Sequence, residues 1–334
     1  MTGQDGSYLA ELLLEKGYEV HGVLRRSSGQ ERNRFRHLSH LTESSSVKLH
    51  YADLSDPTAM RRILNRVQPD ELYHLAGQSH VGLSFEIPES TFHEVAGATL
   101  SLLEMCRDLE KPPRLYQAGS SEVFGNPTQI PQTEETPFCP VSPYGCAKAF
   151  SVNLCRVYRE SYGLHVSSGI SYNHESIRRG SSFVTKKITS AAVRISQGCD
   201  EVLELGNLEA SRDWGYAPEF VDAMWRMLQQ EKASEFILAT GKATRVRDFV
   251  VSAFDRAGFR LEFEGEGVNE VGRDSDSGRE LVRVNAEFFR PADPQNLVGN
   301  PQKAKDVLGW EPKEDGHSLA ARMVADEIEP ITGS

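Results

Sequence analysis

Apolar residues recur along this chain in two alternating rhythms. Leu9, Leu12, Leu13 and Leu14 fall at helical spacing and predict a helix over 8–16, which Gly17 stops. Val20, Gly22 and Leu24 then alternate with His21 and Val23, which predicts a strand over 19–24. The rhythm continues with a strand over 47–51, a helix over 57–67 carrying Met60, Ile63, Leu64 and Val67, and a strand over 71–75. A helix over 94–109 and a strand over 114–118 follow. Ser142 can cap a helix, and Pro143 suits its first turn, so a helix runs from there to about residue 161. A strand over 165–171 and helices over 183–195 and 217–228 complete the pattern. Such alternation predicts an α/β fold with a doubly wound parallel sheet covered by helices on both faces.

Ligands of such sheets lie beyond the carboxyl ends of the strands. The turn Thr2-Gly3-Gln4-Asp5-Gly6 opens the first helix, where backbone amides can face a pyrophosphate. It resembles the start of a Rossmann-type dinucleotide domain, but the first strand and the first glycine of the usual three are missing. An extension upstream by about 7–10 residues, one strand's worth, is therefore expected to raise the melting temperature and improve cofactor binding. Arg25 ends the next strand, where NAD sites carry an acid and NADP sites a basic residue, which favours NADP. Asp53 and Leu54, then Leu75, Ala76, Gly77 and Ser79, fall at the following strand ends and join the candidate cofactor-binding set. Residues 1–165 are the expected NADP-binding domain. Residues 166–334 are expected to form mainly a smaller α/β substrate domain, with parts of 166–240 returning to the first.

The next strand end carries Ser120-Ser121-Glu122, and the helix after it carries Tyr144 and Lys148. A Tyr and a Lys four apart share one helix face, where the ammonium can lower the phenol pKa for proton transfer. Both also belong to the candidate cofactor contacts. Glu122 adds a second acid/base group, which suggests oxidation coupled to an elimination rather than hydride transfer alone. In the second half, Arg178, Arg179 and Arg212 return from distant segments and could clamp a diphosphate. The Asp/Ser/Gly/Arg-rich stretch 272–279 reads as a mobile loop.

Composition narrows the classes. The 334 residues are 39% hydrophobic and 25% charged, enough for a packed core. A net charge of −11 disfavours a nucleic-acid surface. Five cysteines without a Cys-x2-Cys pair disfavour a zinc site or a disulfide framework. His37 and His40 lack partners at ligand spacing, so no metal is expected. There is no apolar run near 20 residues and no signal peptide, so a soluble, cytoplasmic enzyme without a membrane partner is expected.

These motifs resemble the extended short-chain dehydrogenase/reductase superfamily and, more narrowly, its GDP-mannose 4,6-dehydratase family. The stretches that carry the resemblance include TGQDGSYLAELLLEKGYEVHGVLRRSS, SSEVFG, PFCPVSPYGCAKAF, NHESIRRGSSFVTKKI, LGNLEASRDWG, NEVGR and RPAD. The resemblance implies an NADP-dependent hydro-lyase that makes a 4-keto-6-deoxy sugar from GDP-mannose. Tyr144, Lys148, Ser120 and Glu122 would be catalytic, Ser120 standing where the family usually has Thr. His174 and Arg179 would touch the nicotinamide cofactor. Asn173, Lys187, Arg212 and Arg273, with Ser120 and Glu122, would hold the GDP-sugar. Asp213 and Trp214 would pack the motif in place. Family members assemble as homodimers or homotetramers, and residues 25–36 resemble a loop used at such contacts. Two alternatives stay open: an epimerase or 4-keto reductase of the same fold, and a non-catalytic member whose cradle lacks its first strand.

Overall fold

A computed structural model describes residues 1–25, 47–288 and 297–329. His37, His40, Arg290 and most of the 25–36 segment lie outside them. In chain order the main elements begin with α1 (Gln4–Glu15), β1 (Val20–Leu24), β2 (Val47–Tyr51), α2 (Pro57–Val67) and β3 (Glu71–His74). Then come α3 (Ala98–Arg107), β4 (Arg114–Ala118), α4 (Pro143–Tyr162), β5 (Val166–Ser171) and β6 (Asn173–Glu175). α5 (Val184–Ser196), β7 (Leu203–Leu205), β8 (Ser211–Tyr216), α6 (Ala217–Gln229) and β9 (Glu235–Leu238) follow. The chain continues through β10 (Ala243–Arg245), α7 (Val246–Arg256), β11 (Leu261–Glu264), β12 (Val271–Asp274) and β13 (Glu280–Val284). It closes with α8 (Gln302–Leu308) and α9 (Gly316–Ile328).

Parallel strands form a sheet in the order β3-β4-β5-β9, and β1 pairs with β2 in a separate parallel pair. Residues 1–3, ahead of α1, form no strand. Helices cover both faces, as parallel strands require. Leu9 and Leu13 of α1, Met224 and Leu228 of α6 and Leu308 of α8 pack into one cluster. Leu103 and Cys106 of α3 pack with Cys155 and Tyr158 of α4 in another. The β5 strand is buried at every position, so it reads without alternation.

The remaining strands build two smaller sheets, ordered β10-β8-β6 and β11-β12-β13-β7. Their core joins Ile188 of α5, Trp214 of β8, Phe249 and Phe254 of α7, Val282 of β13 and Met323 of α9. Each such fully buried side chain contributes about 1.5–3 kcal/mol. Asp213, beside Trp214, accepts hydrogen bonds from the Thr240, Gly241 and Gly299 amides and pins three segments together.

Three expectations change. The first helix starts at Gln4, not residue 8, because Gly3 serves as its N-cap without a side-chain bond. The helix expected from residue 94 is preceded by a π turn, His93–Gly97, and is regular only from Ala98. The expected mobile loop over 272–279 is instead a hairpin, β12 and β13 joined by a turn. Asp274 closes that turn by accepting from the amide and hydroxyl of Ser277.

Candidate active site

The rim of the candidate site lies where β4 ends. Gly119 follows, and a Cβ there would come within 2.8 Å of the Gly169 carbonyl on β5, so only glycine passes. Ser120 is extended and caps a short 3-10 turn, Ser121–Val123, accepting from the Glu122 amide at 3.3 Å. That turn buries the Glu122 side chain to 9% exposure. α4 then starts against it. The Ser142 hydroxyl accepts from the Gly145 amide at 3.0 Å, and Pro143 occupies the first turn. A Cβ on Gly145 would stand 2.6 Å from the Glu122 carbonyl, so this glycine lets the two elements meet.

Tyr144 and Lys148 ride the buried face of α4, each 7% exposed. Burial pushes the Tyr144 phenol up to about 12; the Ser120 hydrogen bond opposes this and the nearby Glu122 charge adds to it. Ser120, Glu122 and Tyr144 are therefore brought together. The expected lowering of the phenol by Lys148 is not found. Lys148 donates to the Ala118 carbonyl at 2.7 Å, and burial lowers its own pKa to about 8. Its ammonium stands 5.7 Å from the Tyr144 ring centre.

A polar layer that sequence reasoning missed flanks Lys148. His74 of β3 and Gln117 of β4 are opposed in the strand register, and their side chains meet at 2.8 Å. Thr99 of α3 donates to Ser151 of α4 at 3.1 Å and also reaches Gln117. Burial holds His74 down at about 4, with the Gln117 bond opposing and Lys148 adding to the shift. The available signal was a polar residue at matching positions of two otherwise apolar strands, ELYH and RLYQA.

The glycine turn faces the same rim. A Cβ on Gly3 would meet nothing, whereas one on Gly6 would stand 2.9 Å from the Met1 backbone. Gly3 thus leaves open space at the start of α1, and Gly6 admits the neighbouring chain. Asp5 acts electrostatically on both Tyr144 and Lys148. Arg179 also acts on Tyr144, ion-pairs with buried Glu175 at 3.1 Å and stacks on Phe183. His174 bonds Asp5 at 3.0 Å. Ala76, Gly77 and Ser79 are exposed beyond β3, while Leu54 and Leu75 lie half-buried against the core. Arg25 approaches Asp53 at 3.9 Å, joining two strand ends.

The remaining basic residues divide. Arg178 is not placed as a diphosphate clamp. It pairs with Glu11 at 2.6 Å, donates to the Ser7 hydroxyl and lies over the Tyr8 ring, all on α1. Asn173 and Arg212 sit on neighbouring strands β6 and β8, with Arg212 buried. Lys187 of α5 donates to the Glu204 carbonyl of β7 at 2.6 Å. Arg273 stands on β12 between Glu264 and Glu280 and is 40% exposed. Among the described residues no group of three or more His, Cys, Asp or Glu could hold a metal ion, and no helix is long and apolar enough to cross a membrane.

A parallel sheet with Tyr and Lys on one helix face beside a strand-end hydroxyl and carboxylate defines the extended short-chain dehydrogenase/reductase class. The dTDP-glucose 4,6-dehydratase of Bacillus anthracis, solved in complex with NAD, shares this fold with a TM-score of 0.79. It is 16% identical, over 98% of this chain and 94% of that one. Within that class the chain belongs to the GDP-mannose 4,6-dehydratase family, whose profile matches residues 1–323. It is 49% identical to the GDP-mannose 4,6-dehydratase of Sordaria araneosa over 99% of this chain, and spans 60% of that longer protein. It is likewise 49% identical to GDP-mannose 4,6 dehydratase 2 of Caenorhabditis elegans, over 98% of this chain and 87% of that one.

Proposed function

We propose that this chain dehydrates GDP-mannose to GDP-4-keto-6-deoxymannose as an NADP-dependent hydro-lyase. The observation that carries this reading is the convergence of Ser120 and Glu122 on the buried Tyr144 phenol. A reductase or epimerase needs the Tyr and Lys, but the buried carboxylate gives an elimination its base.

The residues present fit a nicotinamide dinucleotide. The open first turn at Gly3 suits its diphosphate, with Thr2, Gln4, Asp5 and Gly6 shaping that turn. Arg25, whose side chain is 59% exposed beside Asp53, suits a 2′-phosphate and favours NADP. Leu54, Leu75, Ala76, Gly77 and Ser79 would line its path, and Lys148, His174 and Arg179 its reactive end. When bound, the cofactor supplies reversible two-electron acceptance as hydride. As its phenolate, Tyr144 takes the proton from the 4-hydroxyl while Ser120 steadies that oxygen. Glu122 takes the proton made acidic on carbon 5 and protonates the hydroxyl that leaves carbon 6 as water. Asn173, Lys187, Arg212 and Arg273 hold the nucleotide diphosphate.

We assign residues 1–165 to the cofactor domain and 166–334 mainly to the substrate domain, with β5, α6 and β9 returning to the first. Exposed Phe92, Phe150 and Val157 support a homodimer or homotetramer. Five free thiols suit a reducing compartment such as the cytoplasm. The test is Glu122→Gln with GDP-mannose as substrate. Product formation should fall by about 10²–10⁴-fold while dinucleotide binding stays within about 3-fold. Undiminished turnover would return the epimerase or reductase reading.

A further inference from the structure

The His174 ring sits between two acceptors. Its Nδ1 lies 2.8 Å from the Tyr172 carbonyl and its Nε2 lies 3.0 Å from the Asp5 carboxylate. A neutral imidazole has one N–H, so one of these contacts would set lone pair against lone pair. Only the imidazolium satisfies both. The ring also stacks on Phe220 of α6, with centres 4.7 Å apart and planes within 13°. Nothing in this arrangement leaves the ring free to turn.

The contact is one of several between the start of α1 and the segment around β6. Gln4 donates to the His174 carbonyl at 3.0 Å and accepts from the Ser176 hydroxyl at 2.9 Å. Arg178 adds its links to Ser7 and Glu11. These partners are about 170 residues apart in sequence. Asp5 poses a problem of its own, because a carboxylate in the first turn of α1 would repel a phosphate bound there.

We propose that His174 is a positioning residue held as an imidazolium, which cancels the Asp5 charge and locks the first turn of α1 to β6. The dinucleotide cradle and the substrate-side segment then keep one fixed spacing. The cradle part of this inference rests on the dinucleotide reading above; the charge state and the lock do not.

The charges around the ring are Asp5 from α1 and Arg179 from the segment after β6, with Lys148 and Tyr144 of α4 and Tyr116 of β4 behind Asp5. Burial disfavours the charged ring, but the Asp5 charge, the Asp5 bond and the Tyr172 carbonyl together raise its pKa. For Asp5, burial acts upward, and the His174 charge and bonds outweigh it to hold the carboxyl at about 2. The sign follows from linkage. The His174 contribution is complete below its ordinary pKa and is lost as pH rises through the raised one, while the Asp5 contribution is lost as pH falls toward 2.

The test uses the full chain with nitrogen-15 labelled histidine. Both His174 ring nitrogens should carry protons at pH 7, with a midpoint above the ordinary histidine value. In Asp5→Asn that midpoint should fall below it. Hydrogen exchange should quicken together at residues 4–8 and 173–178, by about 10-fold or more. NADP affinity should weaken by about 5–30-fold and lose its fall at high pH. A carboxylate that merely repels phosphate predicts the reverse, tighter binding in Asp5→Asn. A singly protonated ring, tighter binding, or exchange that changes in only one of the two segments would overturn the proposal. The wild-type ring measurement decides alone if the variant does not fold. A chain with a charged ring and coupled exchange that binds no dinucleotide would sink the functional reading and leave this one standing.

Discussion

Two groups of buried polar side chains adjoin at the rim of the parallel sheet, and they meet burial in opposite ways. On α4, Tyr144 and Lys148 form no ion pair among the described residues, and burial drives the phenol to about 12 and the ammonium to about 8. Around α1, Asp5 faces His174 at 3.0 Å and Glu11 faces Arg178 at 2.6 Å, so each group has a close partner. Where no close opposite charge offsets it, burial shifts each group toward its neutral form. Groups that must hold position are paired, and breaking such a pair costs more than the pair is worth beside an apolar substitute.

The contrast makes four further predictions. Tyr144→Phe should lower turnover by about 10²–10⁴-fold with the melting temperature nearly unchanged, because it keeps the buried ring and removes only its hydroxyl. Steady-state assays and thermal melts check this, and a large loss of stability would erase the distinction. Arg178→Met should act the other way and destabilise the fold by about 1–3 kcal/mol, read in urea melts, by leaving Glu11 without this partner. A neutral result would mean the paired group does not hold α1.

Lys148→Met should abolish turnover yet stabilise the cofactor-free protein at pH 7. The ordinary lysine pKa is 10.5 and burial lowers it to about 8, so the folded chain carries a penalty below pH 8 that fades as pH rises toward 10.5. Less the lost Ala118 hydrogen bond, the gain should be about 1–2 kcal/mol at pH 7. Urea midpoints at pH 7 and 9.5 should show it shrinking. Ser120→Thr is the smallest change. It keeps the hydroxyl, and turnover should move by less than about 3-fold; a larger drop would show that the extra methyl disturbs the Glu122 turn.

Elements with clean alternation and turn punctuation were legible from residues alone. β2, α2 and β4 have the bounds that their apolar spacing predicts, and α2 has Asp56 as an N-cap accepting from Ala59. The α1 start was hidden because Gly3 caps it with no polar side chain. The β12–β13 hairpin was hidden because its turn and edge carry Arg, Asp and Ser, which read as loop until pairing supplies their partners. The residues gathered at the rim were legible because Ser-Ser-Glu and Tyr-x3-Lys are local in sequence. Arg178 and the His74–Gln117 layer were not, since their partners stand 167 and 43 residues away. The direction of the Tyr144 shift was missed for a related reason: helical spacing shows that Lys148 shares its face but not that the ammonium reaches the Ala118 carbonyl.

The order β3-β4-β5-β9 also governs how the chain can be made. Its fourth strand, Glu235–Leu238, comes from a segment well beyond α4. During synthesis the earlier strands must therefore wait, with the β5 edge open, until that strand has left the ribosome. Chaperone demand should peak in this interval, and nascent chains arrested before residue 238 should be more aggregation-prone and protease-sensitive than chains arrested after it.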